Sequence, residues 1–151
     1  MRIVYSDQKI PKQLGIKSMF LLGPTPRDLV TPSWRIVALK ILKRLNYDGT
    51  VLVPERRVRK AHINYEDQVE WEDQAINSAL FNVFWIPRNL ATMPAFTTNV
   101  EFGRLYKYTN TLYGRPDDAP KNRYLDWLYA KYHPYHPIYN NLTKLLKKAA
   151  L

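Results

Sequence analysis

Cysteine is absent from this chain, which removes disulfides, thiolate metal sites and a cysteine nucleophile together. No apolar stretch approaches the roughly 20 residues that a membrane-crossing helix needs, and Met1 to Gly15 lacks the apolar centre of a secretory signal. A cytoplasmic location without membrane attachment is the expectation. Histidine is scarce: His62, His133 and His136 form no pattern of the H-E-x-x-H kind, and the last two have no acidic or further histidine partner close by. A mechanism without metal or cofactor is therefore expected. Neither a G-x-x-x-x-G-K-[ST] loop nor a G-x-G-x-x-G fingerprint occurs, which takes support from triphosphate hydrolysis and dinucleotide redox chemistry. Repeats and low-complexity tracts are missing too.

Acidic residues are the minority charge, 13 Asp and Glu against 23 Lys and Arg, for a formal net charge of +10. Such a balance favours phosphorylated or polyanionic partners and says nothing about fold. Part of the excess is local. Arg56, Arg57, Arg59 and Lys60 follow an expected strand end, whereas Lys144, Lys147 and Lys148 lie in the last helix, where cations complement the helix dipole. With 151 residues, 46% hydrophobic content, a mean hydropathy of −0.42 and no obvious linker, the chain reads as one globular domain over residues 1–151.

The apolar runs Lys17 to Leu22, Thr50 to Pro54 and Leu80 to Ile86 read as core strands, with Thr111 to Tyr113 a shorter one and Met1 to Ser6 an edge. Between them the pattern predicts helices over Thr31 to Asn46, Tyr65 to Ala79 and from about Thr98 to Tyr108. Two more follow, near Asn122 to Lys131 and Ile138 to Ala149. Thr31 is the expected N-cap of the first, with Pro32 at its first position and Trp34, Val37, Ala38, Ile41, Leu42 and Leu45 on one face. Alternating strands and helices argue a parallel α/β sheet. The apolar stripe of the last helix suits docking on the body or on another subunit.

Ligands in such sheets bind outside the carboxyl ends of the strands, and two carboxylates belong to segments that border those ends. Glu101 follows the strand Leu80 to Ile86, although Thr98 and Glu101 also fit a capping box, which would tie the carboxylate to a backbone amide. Glu72 shares an expected buried stripe with Val69, Ile76 and Ala79, where an unpaired carboxylate needs a partner or a task; Asp73 lies at its edge. Two acids at one crevice suit cleavage at an anomeric carbon.

The chain resembles the nucleoside 2-deoxyribosyltransferase-like family. The resemblance is carried by Phe20-Leu21-Leu22-Gly23-Pro24-Thr25-Pro26-Arg27, Ser33-Trp34-Arg35, Trp71-Glu72, Phe84-Trp85-Ile86-Pro87-Arg88, Phe96 to Gly103 and Tyr113-Gly114-Arg115-Pro116, spanning about Ser18 to Leu128. It implies a flavodoxin-like fold with an extra C-terminal helical segment, and exchange or hydrolysis of the N-glycosidic bond of a nucleoside or nucleotide. By this likeness Glu101, matching the family's E-x-G segment, attacks C1′, and Glu72 helps the base to leave. Gly23, Thr25 and Arg27 border the sugar and base, Thr98 and Asn99 bind sugar or phosphate, and a homo-oligomer is implied because family members commonly assemble. The chain departs from the pattern in two places. Met93-Pro94-Ala95-Phe96-Thr97 carries no acid to grip the base, and the first-strand loop has no stacking aromatic, a part that only Trp34 or Trp85, both core candidates, could take.

Arg27, Arg35 and Arg88 favour a phosphorylated substrate, because guanidinium forks match phosphate geometry. A hydrolase acting on nucleoside 5′-monophosphates or NAD-like dinucleotides is thus an alternative to base transfer. A different class, non-catalytic binding of nucleotides or nucleic acid, draws on the positive charge and on the tyrosine-rich segment Tyr124 to Tyr139.

Overall fold

A computed structural model describes residues 1–58 and 64–151; Arg59, Lys60 and His62 lie outside the described residues. Five strands, β1 (Arg2–Tyr5), β2 (Ser18–Leu22), β3 (Thr50–Val53), β4 (Phe81–Trp85) and β5 (Thr111–Gly114), pair in parallel in the order β1-β3-β2-β4-β5. The helices are α1 (Trp34–Arg44), α2 (Tyr65–Ser78), α3 (Phe96–Leu105), α4 (Arg123–Tyr132) and α5 (Leu142–Ala149). This is the flavodoxin-like α/β arrangement, with α5 as the extra C-terminal helix.

Every residue of β2 is buried because helices cover both faces of the sheet. Phe20 and Leu22 pack with Trp71, Phe84, Phe102 and Tyr129 under α2, α3 and α4. Met19 and Leu21 point the other way, toward Trp34, Leu42 and Leu146 under α1 and α5. Full burial of each such side chain contributes about 1.5–3 kcal/mol, so the central strand alone anchors both layers. The C-terminal stripe docks on the body itself, with Leu145 and Leu146 fully buried.

Flanking chain bonds to the carboxyl end of each outer strand. On β1 the Tyr5 amide donates to the Gln8 side chain at 3.0 Å, and the Gln8 amide returns to the Tyr5 carbonyl at 2.9 Å. On β5, Tyr139 runs alongside Gly114, donating to the Tyr113 carbonyl and accepting from the Arg115 amide.

Helix starts differ from expectation where two residues compete to cap. Helix α1 begins at Trp34, not Thr31, because the Ser33 side chain accepts from the Arg35 amide and also donates to Glu55 at 2.6 Å. Its end comes at Arg44, with Asn46 in the left-handed region at φ 52, which asparagine tolerates. Val37 is 51% exposed while Arg35 is buried. Along α2 the buried face is Trp71, Ala75 and Ile76, with Val69 44% exposed, so Glu72 stands at the edge of the stripe rather than within it. Helix α5 starts at Leu142, where the Asn141 side chain caps it, four residues later than Ile138.

Candidate active site

The chain leaves β2 toward β3, then crosses back to β4 on the other side, so the loops after β2 and β4 diverge. A crevice at such a point is where open α/β sheets hold ligands. Here it is a cavity of about 310 Å³, walled by the β2 loop, the end of β3, α2 and the start of α3. Gly23, Thr25, Arg27, Arg35, Glu72, Thr98 and Glu101 all line it.

The capping box does not form. Helix α3 starts at Phe96; its N-cap, Ala95, sits in the left-handed region at φ 64 and offers no side-chain bond, while Thr98 is buried within the helix. Glu101 therefore stands free of the N-terminus and borders the cavity. Burial, then the nearby Glu72 charge, pushes its carboxyl from the ordinary 4.5 up to about 8, against the pull of Arg35 and Arg104. Glu72 is also shifted upward by burial, opposed by a 2.7 Å hydrogen bond from Gln68 and by Arg35. Repulsion between two buried carboxylates in one cavity favours keeping a proton on the pair.

Arg35 is 1% exposed and spends its donors on the fold. Its Nε donates to the Leu21 carbonyl at 2.9 Å and its two terminal nitrogens reach the Gly23 and Pro24 carbonyls and the Thr25 hydroxyl. Glu55 lies 3.5 Å away as counter-ion. The guanidinium thus shapes the β2 loop and lends positive potential to both glutamates, in place of the phosphate fork expected of it. Arg88 and Asn99 do not line the cavity. Arg88 is buried and donates to the Pro94 carbonyl, Asn99 and Asn122, fixing the turn that leads into α3. Asp73 pairs with Arg104 at 2.8 Å, joining α2 to α3.

Trp34 and Trp85 are core residues, 8% and 6% exposed. Aromatic surface at the cavity comes instead from Phe96 and Tyr65, 69% and 77% exposed, with the Arg27 guanidinium 5.3 Å from the Phe96 ring centre. Each is the first residue of a helix that follows a strand end. Gln68, one turn before Glu72, is a further lining residue that charge and motif reasoning passed over; its amide bridges the Pro54 carbonyl and Glu72. His133 is buried at the end of α4, with its Nε2 2.6 Å from the Tyr106 carbonyl. Among the described residues no helix is long and apolar enough to cross a membrane.

No protein-family model matches the chain, and no curated protein matches it significantly.

Proposed function

We propose that the chain breaks the N-glycosidic bond of a nucleoside or nucleotide, passing the sugar to an acceptor base or to water. The observation that carries this reading is the convergence of Glu72 and Glu101, from two helices, on one cavity of about 310 Å³ with an arginine charge between the fold and both acids. In the proposed reaction a Glu101 carboxylate oxygen bonds to C1′ as the C1′–N bond breaks. The released electron pair goes to the base nitrogen, and the proton held by the pair leaves with the base, through Glu72. Attack on C1′ by an acceptor nitrogen or by water, whose proton passes to the Glu72 carboxylate, then breaks the bond to Glu101 and returns the pair to its starting state. Arg27, exposed beside Phe96 at the cavity mouth, is the arginine there whose guanidinium is not committed to the fold, and it would face the substrate.

Nucleosides, their 5′-monophosphates and NAD, incubated with and without an acceptor base and followed by release of free base, test the reading. Turnover is expected for at least one of them; none with any, or turnover undiminished in Glu101→Ala, would sink it. Glu72→Gln is expected to slow the reaction by about 10²–10⁴-fold, the range for a lost general acid. The loss should be smallest for a nucleoside whose leaving base needs no proton.

A second reading, binding of single-stranded nucleic acid, draws on another surface. The outward face of α4 presents Tyr124 and Trp127, stacked at 6.3 Å and 11°, with the Lys131 ammonium 4.9 Å from the Trp127 ring. The acid of that helix, Asp126, is engaged by Arg115 and Tyr113. Aromatics beside cations suit stacked bases on a charged backbone. A labelled oligothymidylate should bind in low salt and weaken by about 5–100-fold in Trp127→Ala, the range for one lost stack; absence of binding at low salt discards this reading.

A further inference from the structure

We propose that a second cavity, beside the first, reads the edge of a nucleobase through Glu55 and Arg56. It has a volume of about 190 Å³ and shares Thr25, Arg27, Pro54 and Gln68 with the larger one. A molecule with its sugar at the two glutamates would reach it past Arg27. Its role in turnover rests on the N-glycosidic reading; its capacity to bind does not.

Unmet hydrogen-bonding capacity is concentrated here. Glu55 stands two residues past the end of β3, and its side chain is 10% exposed. One oxygen accepts from Ser33 and faces Arg35, while Oε1 has no hydrogen-bond partner among the described residues. The Arg56 Nε and the Ser6 hydroxyl are likewise buried without a partner there, and all three residues line this cavity. Burying polar atoms unpaired is costly, so three on residues that wall one hollow mark a place where an occupant would relieve them once the side chains turn toward it.

The chemistry of the three selects the occupant. Glu55 Oε1 can only accept, Arg56 Nε–H can only donate, and Ser6 does either. An N–H beside a ring nitrogen or carbonyl, the pattern on every nucleobase edge, answers both. A phosphate does not, because its oxygens would meet the free carboxylate oxygen. Pro26, Leu29 and Pro54 supply apolar wall, which a ring face suits and a hydroxylated sugar does not.

Titration calorimetry with free adenine, hypoxanthine, uracil and cytosine, and with ribose 5-phosphate as control, tests this on the whole chain. At least one base should bind wild type, and Arg56→Met should weaken it about 10-fold while leaving ribose 5-phosphate binding unchanged, as loss of one charged hydrogen bond implies. Glu55→Gln should do the same; because Glu55 also supports Ser33 and Arg35, Arg56→Met decides the matter should that variant fail to fold. Absence of base binding, equal binding by Arg56→Met, or a loss confined to ribose 5-phosphate overturns the proposal. Base binding without glycosidic turnover would support it and count against the enzyme alone, whereas turnover with a base preference indifferent to Arg56→Met would count against this subsite alone.

Discussion

Replacing Glu101 by glutamine is expected to lower N-glycosidic turnover by on the order of 10³-fold or more while making the protein harder to melt at pH 8. The two effects share one cause. A carboxyl raised from 4.5 to about 8 by burial takes up a proton on folding anywhere between those values, whereas the unfolded chain has released it. Stability conferred by the protonated form is thus complete below about pH 4.5, declines as pH rises, and is gone above about 8. Glutamine carries no such proton, so the variant should fall below wild type in acid by the cost of burying its amide and gain steadily on it toward pH 8. A tenfold change in proton affinity on folding is worth about 1.4 kcal/mol, and the cost of burying the amide cuts the gain to roughly 1–3 kcal/mol. That corresponds to about 3–10 °C in Tm for a chain of this size. Calorimetric melts of both proteins at pH 5 and pH 8 check the prediction; a variant less stable than wild type at pH 8 would refute the electrostatic account of the site. On the same grounds, kcat/KM should fall as pH rises through about 8, because the pair then loses the proton that leaves with the base.

Gly23→Ala is expected to destabilise the fold by more than about 3 kcal/mol, within the range reserved for strain combined with overpacking. Gly23 lies at φ 145, where residues with a Cβ are strained, and a Cβ there would overlap the Trp85 carbonyl oxygen and meet the Trp34 ring at 3.0 Å. Neither neighbour can yield: Trp85 is in β4, and the Trp34 indole is held by the Pro24 carbonyl at 3.0 Å. Moving the loop would also pull the Gly23 carbonyl from Arg35, from which it accepts at 2.6 Å. Urea unfolding should show the midpoint fall sharply; a change within about 1 kcal/mol of wild type would mean the loop is more yielding than its packing indicates.

The strands were legible because Met19 to Leu22 and Val83 to Ile86 are continuous apolar runs, a pattern that layers of helix on both faces require. Boundaries were harder where caps compete. The Thr31 hydroxyl is taken up by Asp28, to which it donates at 2.8 Å, while Ser33 is held by Glu55, a partner 22 residues away that no local pattern contains. The same distance effect governed the arginines. Counting charge assigns Arg35 and Arg88 to a ligand, but what fixes each is a set of carbonyls that turn inward only once the loops are folded. Glu101 and Glu72 were visible as acids near strand ends, yet Gln68, Phe96 and Tyr65 became visible only with the directions of α2 and α3, since an exposed aromatic at a helix start carries no charge or spacing signal.

The treatment of the outer strands by Gln8 and Tyr139 limits how copies of this molecule can meet. The end of each margin is already engaged by the molecule's own chain, so a neighbour cannot continue the ladder at Tyr5 or beside Gly114 without displacing it. A strand laid against either margin would first have to peel that stretch of chain away.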